Sequence, residues 1–101
     1  MKYYVIGDED TVLGFGMVGV QGTIVRTAQA ASDAFSRTLT DGEVGIIIIT
    51  ERIAELIRAQ VDRYVFSERF PLIVEIPDRE GKLTGRPAIR EMVNTAIGIK
   101  L

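Results

Sequence analysis

The chain has 101 residues, a length that suits one domain and leaves no room for two. It contains neither cysteine nor histidine, so disulfide frameworks, thiolate metal sites, thiol nucleophiles and imidazole acid–base chemistry are excluded together. A net charge of −2 gives no electrostatic footprint for nucleic acid. Apolar residues, glycine included, exceed half the chain, against about 45–50% for ordinary domains. Either a parallel sheet buried on both faces or an apolar surface meant for a partner accounts for that excess.

Tyr3–Ile6 reads as a short strand closed by Gly7. Asp8, Glu9 and Asp10 suit the N-terminus of a helix over Thr11–Val18, which Gly19 can end in the left-handed conformation. Gly22–Arg26 is a weaker second strand. Thr27 caps a helix over Ala28–Leu39, with Ala28, Ala31 and Phe35 on its inner stripe, and Thr40-Asp41-Gly42 makes the turn.

Val44–Ile49 is the clearest strand. Its consecutive isoleucines, Ile46 to Ile49, do not alternate with polar residues, which predicts burial on both faces. Thr50 caps a helix from Glu51 to about Phe66, with Ile53, Leu56, Ile57, Val61 and Tyr64 at helical spacing. Arg52, Glu55, Arg58, Asp62 and Arg63 fall on its polar side, Arg58 and Asp62 at the spacing of an ion pair. Pro71–Ile76 is a fourth strand, Asp78–Gly85 a polar loop, and Pro87 opens a last helix striped by Ile89, Met92, Val93 and Ala96.

Strands and helices alternating in this way predict an α/β, flavodoxin-like fold. Its four-stranded parallel sheet has the order 2-1-3-4, with helices on both faces and a C-terminal helix. Residues 1–77 make the α/β core; residues 78–101 are a loop, helix and tail of the same domain. No apolar run approaches the roughly 18–20 residues of a membrane span, and Met1–Ile6 is interrupted too soon for a signal peptide; a soluble cytoplasmic protein is the expectation.

Chemistry-bearing patterns are scarce. Gly14-Phe15-Gly16-Met17-Val18-Gly19 spells G-x-G-x-x-G, but it starts too far beyond the first strand and behind three acids that repel a pyrophosphate. Those acids invite comparison with receiver domains, which also need an aspartate after the third strand; here Thr50-Glu51 follows instead. Ser32, Ser36 and Ser67 have no histidine to activate them. No catalytic, cofactor-binding or metal-binding residue is therefore assigned.

The first helix is unusual. Thr11 to Val20 carries no charge, with Leu13 and Met17 on one side and Val12 and Phe15 on another. A helix apolar all round is buried on both sides, and a chain this short has little to supply the second cover. The last helix or the tail is one candidate cover; an external partner is the other.

The opening Tyr4-Val5-Ile6-Gly7-Asp8-Glu9-Asp10-Thr11-Val12-Leu13-Gly14-Phe15, the segment Val44–Glu51, the strand Pro71–Pro77 and the ending Ile89-Arg90-Glu91-Met92-Val93…Ile97-Gly98 resemble, in order and nearly end to end, the F subunit of V-type and archaeal-type rotary ATPases. The resemblance implies a non-catalytic rotor part of the central stalk without cofactors. Its partner is the coiled-coil D subunit, and the C-terminal segment is a mobile piece that reaches the catalytic A/B headpiece. The membrane is met only through the complex. Partner contacts are expected at Val12, Leu13, Phe15, Met17, Ile97, Ile99 and Leu101. The rival is a degenerate receiver-like signalling domain without a phosphoacceptor; a nucleotide-binding fragment ranks third.

Overall fold

A computed structural model describes residues 2–67, 71–78 and 80–81. The elements run β1 (Lys2–Gly7), α1 (Glu9–Gly16), β2 (Gln21–Ile24), α2 (Ala28–Leu39), β3 (Val44–Thr50), α3 (Glu51–Leu56), α4 (Arg58–Ser67) and β4 (Leu72–Ile76). The strands form one parallel four-stranded sheet in the order β2-β1-β3-β4, as the alternating pattern predicts. The predicted last helix and tail lie outside the described residues.

The strand registers decide which side chains share a face. Val5 stands opposite Ile48 and Ile48 opposite Val74, while Ile6 pairs with Ile49 and Ile49 with Glu75. Alternation along each strand sends these two rows to opposite faces. A register shift between Lys2 and Tyr3 places Val44 opposite Lys2 and Ile46 opposite Tyr3. The extra residue, Gly45, lets Val44 join the row of Ile47 and Ile49.

One face packs under α2, α3 and α4: Ile6, Ile47 and Ile49 meet Phe35, Ile53, Ala54 and Val61 in a single buried cluster. Phe35 also meets the ring of Tyr64 edge-on, 5.9 Å between centroids. The other face packs under α1, where Val5, Val12 and Ile48 make a smaller cluster flanked by Phe15, Val20, Ile24, Ile46 and Ile76. The isoleucine run of β3 is thus used on both sides, with Ile47 and Ile49 wholly buried and Ile48 nearly so.

Capping explains the helix starts. The side chain of Asp8 accepts from the Thr11 amide, that of Thr27 from Ala30 and that of Thr50 from Ile53. The Asp8 cap starts α1 at Glu9, two residues before the Thr11 expected from sequence. At its other end the Val20 amide bonds Phe15 O and the Gly19 amide bonds Gly16 O, with Gly19 at φ +89°. This paired closure needs a residue that tolerates the left-handed region, and glycine does.

Two details of the helices correct the sequence reading. On α2 the buried stripe is Ala31, Ala34, Phe35 and Thr38, and Ala28 is exposed because it belongs to the first turn, outside the packed face. The helix expected as one piece from Glu51 to Phe66 breaks at Ile57, whose φ −129° and ψ 36° are not helical. Ile57 and Val61 are both buried in the core, whereas Leu56, expected on the apolar stripe, remains exposed. Arg58, expected on the solvated side, turns instead toward β4: its Nη1 and Nη2 donate to Glu75 at 2.8 and 2.6 Å, and Nη1 also to Asp62 at 3.0 Å.

Candidate docking surface

The sequence places an uncharged helix at the start of the fold, and the structure shows which of its sides is spent on the core. Val12 is buried against Val5 and Ile48, and Phe15 is half-buried beside it. These two hold α1 to the sheet. Leu13 is 57% exposed, Met17 88% and Val18 77%. Ile97, Ile99 and Leu101, the other expected contacts, lie outside the described residues.

Leu13, Gly16 and Met17 follow one another at helical spacing along the solvent side of α1. Together with Val12, Tyr4 and the Gly19–Gly22 turn they line an open groove of about 740 Å³ between α1 and β2. From Thr11 to Val25 no residue is charged. Large apolar side chains exposed side by side, with no charge among them, mark an interaction surface rather than ordinary solvated helix. Val18 is absent from the contacts expected from sequence; the i+4 step from Gly14 is the available signal, since it puts Val18 beside the Leu13–Met17 row.

The charges of this region gather at the other end of α1 and serve the fold. Burial disfavours the charge on Asp8, but hydrogen bonds from the Thr11 hydroxyl and amide outweigh it and hold the carboxyl below its usual range. Glu9 pairs with Arg26 at 3.0 Å. The glycines of the G-x-G-x-x-G string fall in the second half of α1 and just beyond it. That is far from the helix N-terminus, where a pyrophosphate would sit. Among the described residues no group of acids is placed to hold a metal ion, and no helix is long and apolar enough to cross a membrane.

A parallel 2-1-3-4 sheet with α1 on one face and exposed, uncharged Leu13, Met17 and Val18 on that helix and the turn after it defines a small α/β module. Comparison with known proteins makes this specific. Residues 4–93 match the family model of the ATP synthase (F/14-kDa) subunit. The F subunit of the A-type ATP synthase of Pyrococcus furiosus is 36% identical over 106 residues, covering 100% of this chain and 98% of its own. That of Methanocaldococcus jannaschii is 34% identical over 102 residues, covering 100% and 99%. The crystal structure of the Archaeoglobus fulgidus V-type ATP synthase F subunit superposes with a TM-score of 0.60. It is 22% identical and covers 74% of this chain and 95% of its own. The chain belongs to the family of F subunits of V/A-type ATP synthases, and is a non-catalytic subunit.

Proposed function

We propose that this protein acts in the central stalk by laying the exposed side of α1 on the coiled-coil D subunit, and so turns with it. The observation that carries the reading is the uncharged, exposed set of Leu13 on α1 and Met17 and Val18 in the turn that closes it, on a helix whose opposite side is already buried. A coiled coil offers a long apolar and polar helical surface, and an exposed helix with glycines at 14 and 16 can approach such a surface closely. In this role the chain performs no chemistry. It transmits torque between ATP turnover in the A/B headpiece and ion movement in the membrane sector, on the cytoplasmic side. The C-terminal segment, through Ile97, Ile99 and Leu101, belongs to the same reading as the piece that meets the headpiece.

Charge reversal tests it. Leu13→Glu and Met17→Glu alter side chains that the isolated domain leaves in water, so its stability should change by no more than about 0.5 kcal/mol. A carboxylate pressed into an apolar contact has no partner, and affinity for the D subunit should fall by at least about tenfold, the equivalent of 1.4 kcal/mol. Titration calorimetry with purified D subunit measures this directly. Wild-type affinity in both variants, with the fold intact, would remove α1 from the interface.

A further inference from the structure

The pairing of β3 with β4 ends at Thr50 and Ile76. Pro77, which follows, has no amide hydrogen to offer a further rung. The chain beyond it is held from α3 instead. The Gly81 amide donates to the Asp78 carbonyl oxygen at 2.9 Å and the Glu80 amide to Asp78 Oδ1 at 2.9 Å, which closes a turn. Asp78 Oδ2 accepts from Arg52 Nε at 2.9 Å, and Arg52 Nη2 lies 3.2 Å from Glu80 Oε2. Arg52 belongs to the first turn of α3, the helix that Thr50 caps.

We propose that Arg52 is a conformational latch: its guanidinium holds the turn of Asp78, Glu80 and Gly81 against α3, and can release it without unmaking the core. Two nitrogens of one planar group address two different carboxylates, so the pairing sets the orientation of the turn as well as its distance. Asp78 is the joint between the two halves. One of its oxygens serves the turn's own amide and the other serves α3. The exposures show which partner can leave: the Asp78 side chain is 8% exposed, that of Arg52 48%. Neither belongs to the buried clusters on the two faces of the sheet, so opening the latch costs the core nothing. Whatever follows Gly81 is carried by this turn, and Arg52 thereby fixes where residue 82 starts relative to α3. The latch does not depend on what α1 binds.

Backbone nitrogen relaxation on the full-length chain tests this. In the wild type the amides of Glu80 and Gly81 should show order parameters near the value of about 0.85 for rigid backbone. In Arg52→Gln they should fall below about 0.6, the flexible range, while the amides of β3 and β4 keep their wild-type values. Arg52→Lys retains the charge but not the fork that spans two carboxylates, and should lie between the two. Asp78→Asn keeps an oxygen for the Glu80 amide but removes the charge that Arg52 grips, and should loosen the same two amides. Order parameters at Glu80 and Gly81 that are already in the flexible range in the wild type would overturn the proposal. So would unchanged values in Arg52→Gln, since Asp78 would then close its turn unaided. An equal loss along β4 would also overturn it, by making Arg52 a support of the sheet edge rather than a latch on the turn.

Discussion

Beneath α2, α3 and α4 the side chains of Phe35, Ile47, Ile49 and Val61 are fully withdrawn from water; beneath α1, among the core side chains, only Val5 is. The two faces share the same strands, so the difference comes from what covers them. On the first face a twelve-residue helix and a broken helix interlock, and their polar edges are tied by Ser32–Gln60 and Gln60–Ser36 hydrogen bonds of 2.8 and 3.0 Å. On the second, an eight-residue helix covers part of the sheet and leaves its own outer side apolar. Full burial is concentrated on the first face, and exposed apolar side chains on the second.

The largest test of this contrast pairs Phe35→Ala with Met17→Ala. Phe35 fills the space between α2, β3 and Tyr64 and has no exposed atom, so its truncation should cost about 3–5 kcal/mol through lost burial and the cavity left behind. Met17 is nearly as exposed as in the unfolded chain, and its truncation should stay within about 0.5 kcal/mol. Urea unfolding of both variants measures the gap. Similar losses in the two would mean that α1 is as much part of the core as α2.

A smaller effect is expected at the edge of the first face, where Arg58 holds β4. Its guanidinium is forked onto Glu75, contacts Asp62, and has Nε 3.4 Å from Glu55 without forming a hydrogen bond there. Arg58→Ala removes the two hydrogen bonds that the guanidinium donates to the Glu75 carboxylate, which is 12% exposed. The cost should be about 1.5–3 kcal/mol, the range for hydrogen bonds to charged groups. Arg58→Lys keeps the charge but not the planar fork and should fall between alanine and wild type. The hydrogen bonds that Arg58 donates to Glu75 raise its pKa beyond the ordinary guanidinium range. Such a raised group stabilises the fold at every pH below its unfolded value and loses that contribution only above it. The difference between Arg58→Ala and wild type should therefore stay constant from neutral into mildly alkaline solution, as urea midpoints at several pH values will show.

The sheet order, both faces of β3 and the caps at Thr27 and Thr50 are legible in the sequence because each follows from a local rule: period, burial run, or a hydroxyl before a helix. The break at Ile57 is not, because no glycine or proline marks it; the next residue, Arg58, is held by Glu75, seventeen residues away. That long-range pair takes Arg58, a side chain of the polar stripe, to β4, where it is half-buried. At the docking surface, the absence of charge from Thr11 onward is plain in the sequence. Which of the apolar residues face the sheet is not. Val12 and Phe15 are separated from Leu13 and Met17 by the helical period, but only the packing on Val5 and Ile48 decides which pair is spent on the core.

Glycine offers the finest test of the difference, because two glycines on the α1 side are there for opposite reasons. At Gly22 an added Cβ would run into Val5 Cγ1 and come within 2.5 Å of the Val5 carbonyl oxygen, so β2 can lie this close to β1 only without a side chain. At Gly14 an added Cβ meets nothing within 4 Å, and the position is helical. A glycine inside a helix costs about 0.5–1 kcal/mol relative to alanine, through the freedom it regains on unfolding. Gly14→Ala should therefore raise stability by about that amount, seen as a higher urea midpoint with an unchanged slope. A loss would mean that the helix is strained at this point. The binding assay then gives the variant its second use. Gly14 borders Val18 one turn along, on the flank of the Leu13–Met17 row. A stabilised Gly14→Ala chain that binds the D subunit more weakly would place the partner's backbone against this glycine. One that binds as well as the wild type confines the contact to the Leu13–Met17 side, where the methyl group does not reach.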